Sequence, residues 1–206
     1  MDSLIIERDV LNVSDDVTLH DDVFRPRDKQ HVPGVKCKDG YASQWDWLVN
    51  NHPDILPGSS RSFVTWETGD SKTWIPWGYA VVRVDSRGSG RSSGYLDILS
   101  AREAQDYYNA IEWAGSQPWS NGRVGLNGIS YYAITQWTVA ALKYVIPKPY
   151  PPYFGHPNFL LSQCLALTYL DPPHHLAAMI PWEGAGNFYR DFARHGGIFC
   201  NGFLEI

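Results

Sequence analysis

Two stretches near the start of the chain, from Ile5 to Val13 and from Val17 to Phe24, have the hydrophobic pattern of strands and are predicted to form a hairpin. In the second stretch, Val17, Leu19 and Val23 follow the every-second-residue spacing of a strand with one buried face. Asp21 places a charge on the otherwise apolar face of the second strand. Pro26 is expected to end the hairpin, because proline has no N–H to donate to a strand ladder.

The pattern changes to alternating strand and helix in the middle of the chain. The apolar run Gly78–Asp85 is typical of a strand that is buried on both faces of a parallel sheet. Ser100 and Glu103 form a capping-box pair, and apolar residues then recur with helical spacing over about four turns. A second strand follows and leads into another helical pattern. The order strand, helix, strand, helix predicts an α/β sheet with right-handed crossovers.

Two stretches lack a clear period. Between Val32 and Ser71 we expect no core strand, only a short helix from Tyr41 to Val49 within loop. From Tyr144 to Leu170, repeated prolines prevent regular structure. Beyond them, Leu176–Ile180 predicts another buried strand, and Phe188–Ala193 predicts the start of a helix.

Composition argues against several classes of protein. The 206 residues are 44% hydrophobic and 19% charged, as in ordinary globular domains rather than disordered chains. A net charge of -5 and a pI near 5.7 give no electrostatic basis for binding nucleic acid or an anionic membrane. No apolar run approaches the roughly 20 residues that span a bilayer, and the N-terminus lacks the layout of a signal peptide. We therefore expect a cytoplasmic protein.

The cysteines give no sign of a metal site or a disulfide framework. Cys37, Cys164 and Cys200 are scattered without the spacing of metal ligands. They indicate reduced thiols, and we expect neither a metal nor a cofactor.

The candidate chemistry lies where the second core strand passes into the next helix. Gly128-Ile-Ser130 follows an apolar run, and helical spacing begins directly after it. This is the pattern of a nucleophile elbow, in which a sharp turn lifts a serine above the edge of the sheet. Ser130 is the candidate nucleophile, and the backbone N–H of Tyr131 with the helix dipole would hold developing negative charge. The usual second glycine is replaced by Tyr132.

A dinucleotide-binding loop is the alternative for the glycines that follow Asp85. Gly88 and Gly90 come after a predicted strand, as in the Gly-x-Gly-x-x-Gly fingerprint. The third glycine, Gly94, falls one residue too late, and the helix is expected only after Ser100. The fingerprint therefore fits the chain poorly.

Several groups of residues carry a family resemblance: Gly78-Tyr-Ala-Val-Val with Asp85-x-Arg87-Gly88-x-Gly90-x-Ser92-x-Gly94, Gln117-Pro-Trp-x-Asn-Gly-x-Val-Gly125, Gly128-x-Ser130-Tyr131-x-Ala133-x-x-Gln136-Trp137, and Pro172-Pro-His-x-Leu-Ala-Ala with Pro181-Trp-Glu-Gly. Together they resemble the X-prolyl dipeptidyl-peptidase and cocaine-esterase family of α/β-hydrolases. The resemblance implies a partial α/β-hydrolase fold, mostly a parallel sheet with an N-terminal antiparallel hairpin. It implies that Ser130 is the acylated nucleophile and that the Tyr131 N–H is one oxyanion donor. It also implies a small residue at Ala133 and an ion pair that anchors the loop through Arg87.

The chain departs from the family pattern in two regions. The family's strand ending in Pro-Tyr-x-Lys, whose tyrosine is the second oxyanion donor, has no match, and Tyr41 substitutes for it poorly. The segment 144–170 has no counterpart and is expected to be a lineage-specific insertion or translated non-coding sequence. Residues 1–206 are then a partial α/β-hydrolase domain with its core in 70–144 and 172–197. The family's lid and C-terminal β-rich domain are expected to be absent.

The catalytic triad is expected to be incomplete. In α/β-hydrolases the acid and then the histidine follow the serine on loops after later strands. The candidates after Ser130 lie in the insertion, beside the next strand or in the last helical segment, with no further strand to hold them: Asp171, Asp191, His156, His174, His175 and His195. Asp191 and His195, four residues apart, are interpreted as a solvated helix contact.

The expected function is that of a serine hydrolase that acts through an acyl-enzyme on an ester, amide or peptide substrate. With the triad incomplete, little activity is expected of this chain alone. The alternative is a catalytically dead α/β module with a binding role. The oligomeric state, the substrate and the choice between peptidase and esterase stay open.

Overall fold

A computed structural model describes residues 4–12, 16–27, 32–39, 67–142, 173–187 and 189–199. Within them, six strands form one sheet in the order β1-β2-β4-β3-β5-β6. The strands are β1 (Leu4–Asn12), β2 (Thr18–Pro26), β3 (Val32–Asp39), β4 (Ala80–Asp85), β5 (Ser120–Ile129) and β6 (Leu176–Trp182). The pairs β1–β2 and β2–β4 are antiparallel, and β4–β3, β3–β5 and β5–β6 are parallel. The expected N-terminal hairpin on a mostly parallel sheet is therefore confirmed.

The second strand of the hairpin buries the face that its alternation predicted. Leu19, Asp21 and Val23 are each about 1% exposed, so the acid lies in the interior with its apolar neighbours. Pro26 is the last residue of β2 and pairs with Leu4 at the outer edge of the sheet. A proline is tolerated there because the pairing of β2 with β4 covers only Asp21–Phe24 and the pairing with β1 ends at Pro26.

The strand β3 corrects the expectation that a core strand is missing. Val32–Asp39 lies in the middle of the sheet and pairs in parallel with β4 on one side and β5 on the other. The register with β5 shifts between Val32 and Gly34, which accommodates Pro33. This proline and the following glycine obscure the period-two pattern, whereas the strand is defined by backbone pairing, which every residue other than proline can make in full. Tyr41 and the expected helix at 41–49 lie outside the described residues.

The described residues form three α-helices: α1 (Ser71–Trp74), α2 (Ala101–Ser116) and α3 (Tyr131–Ala140). The second and third lie where the sequence predicts them, and the short α1 was not predicted. The amphipathic helix α2 contributes to both hydrophobic clusters of the core: Ala110 packs with the hairpin and β4, and Ile111 packs with β5 and α3. This helix therefore holds the two halves of the sheet together. No helix in the described ranges is both long and apolar enough to cross a membrane.

The last described elements depart from expectation in two ways. The strand at Leu176–Ile180 is confirmed as β6, but Ala177 and Ala178 are exposed because β6 is the outermost strand of the described sheet. The expected helix is a short π-helix, Tyr189–Ala193, followed by the small hairpin of β7 (Arg194–His195) and β8 (Ile198–Phe199). Segment 144–170 lies outside the described residues.

Candidate active site

Ser130 occupies a strained turn between β5 and α3. Its backbone has φ 57° and ψ -115°, a region that side-chain-bearing residues rarely adopt. Its carbonyl accepts from the N–H groups of Ala133 and Ile134, which starts the helix, and its own N–H donates to the carbonyl of Trp182 at 2.9 Å. The turn is therefore tied to the helix on one side and to β6 on the other. This is the geometry that the elbow pattern predicted.

Small residues flank the turn at two places where segments of the chain pack closely against each other. A Cβ built on Gly128 would overlap with the Cβ of Tyr132, which is itself 2% exposed. The bulky residue in place of the second glycine is thus buried against the first glycine. Three residues after the serine, Ala133 lies against Gly184, which follows β6.

The first helical residue, Tyr131, is held by an acid from α2. Its hydroxyl lies 2.6 Å from both carboxylate oxygens of Glu103. Ser100 caps α2 as predicted by accepting from the Glu103 N–H, but the Glu103 carboxylate accepts from Leu99 rather than completing the capping box at Ser100. Sequence reasoning identified the cap and missed the link to Tyr131, for which the spacing of residues along the chain contains no signal.

The loop after β4 is a structural support, as the resemblance implied. The guanidinium of Arg87 makes two hydrogen bonds of 2.8 Å to the carboxylate of Asp106 on α2, and both side chains are buried. Arg91 donates its backbone N–H to the carboxylate of Asp85. A Cβ built on Gly90 would overlap with the same carboxylate, so only glycine fits at this position. An acid of the chain itself therefore fills this loop, which argues against a phosphate site. Burial raises the pKa of Asp85, and the bond from Arg91 opposes this shift.

Two of the candidate histidines, His174 and His175, lie at the edge of the sheet opposite to Ser130. The Nδ1 of His175 lies 2.9 Å from the carbonyl oxygen of Gly122, and both His174 and His175 approach Glu112. Gly122 lies at the start of β5, and Ser130 follows its end, about 26 Å away at the usual rise per strand residue. Both histidines therefore lie far from Ser130.

The other candidate acids and histidines lie in the last described elements or outside the described residues. Asp191 lies in the π-helix and accepts from the Asn187 N–H, whereas His195 lies in β7, so the two residues do not share one helix as expected. Asp171 and His156 lie outside the described residues. Within the described ranges, no group of three or more histidines, cysteines and acids could hold a metal ion.

A cleft of about 190 Å³ opens beside the elbow. Its lining comes from the loop after β4, from α2 and from the first turn of α3: Ser86, Ser89, Leu96, Ile98, Glu103, Tyr131 and Tyr132. Leu96 and Ile98 are 47% and 62% exposed, so the rim of the cleft is apolar. Tyr131, the residue that follows Ser130, thus lines a concave, partly apolar surface.

Comparisons with known proteins agree with this geometry. A model of the X-Pro dipeptidyl-peptidase (S15) family matches residues 15–148. The cocaine esterase of Rhodococcus sp. (strain MB1 Bresler) is 31% identical over 129 residues, which are 61% of this chain and 19% of that protein. A CocE/NonD family hydrolase from Staphylococcus aureus is 37% identical with a TM-score of 0.71, over 95% of this chain and 30% of its own.

A more distant match extends the same fold. The crystal structure of an aminopeptidase from a Thaumarchaeota archaeon of marine sediment matches at 21% identity with a TM-score of 0.58, over 89% of this chain and 26% of its own. These matches confirm the predicted α/β-hydrolase fold class. The chain spans about a fifth to a third of the length of these relatives.

Proposed function

Because the chain belongs to the X-Pro dipeptidyl-peptidase (S15) family, we propose that it carries the nucleophile of a serine hydrolase, and that this nucleophile is Ser130. The observation that carries the proposal is the strained turn of this serine, with φ 57°, at the start of α3. A protein keeps a residue of this kind in such a conformation at a cost of about 1–3 kcal/mol, which is typical of functional positions.

The proposed reaction is acyl transfer. The Ser130 hydroxyl loses its proton to a base and attacks the carbonyl carbon of an ester or amide, and the leaving alcohol or amine departs with a proton. Water then attacks the acyl-serine and releases the acid. The negative oxygen of each tetrahedral intermediate would be stabilised by the Tyr131 N–H and by the positive end of the α3 dipole.

The substrate we propose is a small-molecule ester or amide, or a peptide. The names of the relatives, a cocaine esterase and an aminopeptidase, cover both classes of bond. The apolar rim of the cleft at Leu96 and Ile98 supports a substrate with a hydrophobic portion.

We propose that the polypeptide 1–206 has little activity by itself. The proposal is supported by the position of His174 and His175, two of the four histidines that follow Ser130, at the far edge of the sheet. An oxyanion hole and binding alone, without the triad, leave only about 10³- to 10⁴-fold acceleration over water. We further propose that 70–144 and 172–197 form the domain core, with 144–170 as an insertion.

A fluorophosphonate probe tests these proposals on the purified chain. We expect a slow adduct that mass spectrometry locates on Ser130 and that is absent from Ser130→Ala. An adduct on another serine, or none at all, would overturn the assignment of the nucleophile and favour the catalytically dead binding module. Rapid labelling of Ser130 would instead contradict the proposed low activity.

A further inference from the structure

Glu103 joins two strained positions of the backbone. Its carboxylate accepts from the Leu99 N–H at 2.7 Å and from the Tyr131 hydroxyl at 2.6 Å, and the residue is 8% exposed. Leu99 has φ 54°, and Ser130, directly before Tyr131, has φ 57°. One buried acid therefore holds the residue next to the elbow and the strained residue before α2.

We propose that Glu103 is a positioning residue for the oxyanion donor. It fixes the Tyr131 side chain, and through it the peptide between Ser130 and Tyr131. The Tyr131 N–H then stays oriented toward the negative oxygen of the tetrahedral intermediate. The inference rests on the proposed function of Ser130 and adds to it a residue that lies in another helix. Glu103 also lines the cleft, but the positioning role acts through its contact with Tyr131.

The contacts exceed what a helix cap requires. Ser100 already caps α2 by accepting from the Glu103 N–H at 3.1 Å. In a capping box the Glu103 carboxylate would return to the N–H of Ser100, but here it accepts from Leu99 and reaches across to α3. A hydrogen bond to an ionised carboxylate is about twice as strong as one between neutral groups, which suits an anchor.

The sharpest variant is Tyr131→Phe, because it removes the hydroxyl and leaves the backbone N–H in place. Glu103→Gln retains an oxygen for Leu99 and an amide N–H for the Tyr131 oxygen, whereas Glu103→Ala removes both contacts. Matched controls are Tyr95→Phe, at an 81% exposed ring, and Glu112→Gln, near the opposite end of α2. Thermal melting of each variant shows whether it is folded under the conditions in which the variants are compared.

Two measurements on the full chain report on the contact between Glu103 and Tyr131. We expect amide exchange in the segment 129–133 to be roughly tenfold faster in Tyr131→Phe and Glu103→Ala, as for the loss of one charge-assisted hydrogen bond. We also expect the fluorophosphonate rate at saturating probe to fall roughly tenfold in both variants, with an unchanged half-saturating concentration. Glu103→Gln should retain most of each property, and the two controls should match the wild type.

The outcomes separate the two proposals. Unchanged exchange and unchanged labelling in Tyr131→Phe would overturn the role of Glu103 while the role of Ser130 stands. A fall in the labelling rate of Glu103→Gln as large as that of Glu103→Ala would also contradict the role of Glu103. If the wild-type chain forms no adduct on Ser130, the proposed function fails, and the exchange measurement still decides whether Glu103 orders the Tyr131 peptide.

Discussion

Ala133 and Gly184 lie in direct contact, although they are far apart in the sequence. A Cβ built on Gly184 would lie 2.6 Å from the Cβ of Ala133, which is itself fully buried. This contact packs the first turn of α3 against the turn after β6. It gives one physical reason for two motifs, since both the residue three after the serine and the last residue of Pro181-Trp-Glu-Gly must be small.

Gly184→Ala should therefore destabilise the fold. Overpacking of this kind costs about 1–3 kcal/mol in the free energy of unfolding. Gly186→Ala is the matched control, because among the described residues no atom beyond its chain neighbours lies within 4 Å of the position of its Cβ. Its effect should stay within about 0.5 kcal/mol, as for most surface substitutions. Urea unfolding measures both, and equal effects of the two variants would contradict the contact.

Strain at Ser130 predicts a gain in stability when the serine becomes glycine. Ser130→Ala and Ser130→Gly both remove the hydroxyl, but only glycine adopts φ 57° without a steric cost. The strain of about 1–3 kcal/mol is partly offset by the greater freedom of glycine in the unfolded chain. We expect Ser130→Gly to be more stable than Ser130→Ala by about 1 kcal/mol in urea unfolding, within these limits. An alanine variant as stable as the glycine variant would argue against strain.

The buried ion pair between Arg87 and Asp106 should be far more important for stability than the exposed pair between Arg91 and Asp22. The Arg87 and Asp106 side chains are each 9% exposed, whereas those of Arg91 and Asp22 are 40% and 33% exposed. Removing one partner of a buried pair typically costs about 3–5 kcal/mol, because the other charge stays buried. Exposed pairs contribute about 0–1 kcal/mol.

The comparison of Arg87→Met with Arg91→Met tests this difference in size. Methionine keeps much of the aliphatic stem in both cases and removes the charge. Chemical unfolding of the two variants should show a much larger loss for Arg87→Met. Similar losses would mean that the loop after β4 is held by other contacts.

Asp85 predicts a pH dependence of stability with a defined sign. Burial raises its pKa in the folded state above the ordinary value of 3.8, so the folded state binds the proton more tightly than the unfolded state. Below pH 3.8 both states are protonated and the group costs nothing. As the pH rises through the folded-state pKa, the buried carboxylate must ionise and stability is lost.

Asp85→Asn removes this titration and keeps an oxygen that can accept from the Arg91 N–H. The variant should therefore gain stability relative to the wild type as the pH rises from below 3.8 to neutrality. Unfolding free energies measured across that range test the sign. A difference that is constant with pH, or that favours the wild type increasingly at neutral pH, would contradict it.

Elements with a strong local period were predictable from the sequence. The amphipathic helix α2, the buried strand β4 and the turn at Ser130 each carry their signals within a short stretch, because periodicity records which faces of one element are buried. The anchor at Arg87 was predicted from the family resemblance alone, and the cap at Ser100 from the capping-box pattern. The strand β3 was missed because Pro33 and Gly34 disturb its period.

The sequence by itself determined the order of most strands and helices and the position of the elbow. Tertiary structure alone decided that Val32–Asp39 lies between β4 and β5, that Glu103 reaches Tyr131, and that His175 lies at the edge of the sheet away from Ser130. The reason is physical: strand pairing uses backbone groups that almost every residue shares, and contacts between distant side chains depend on how the elements pack. Neither strand pairing nor such contacts produce a periodic pattern in the sequence.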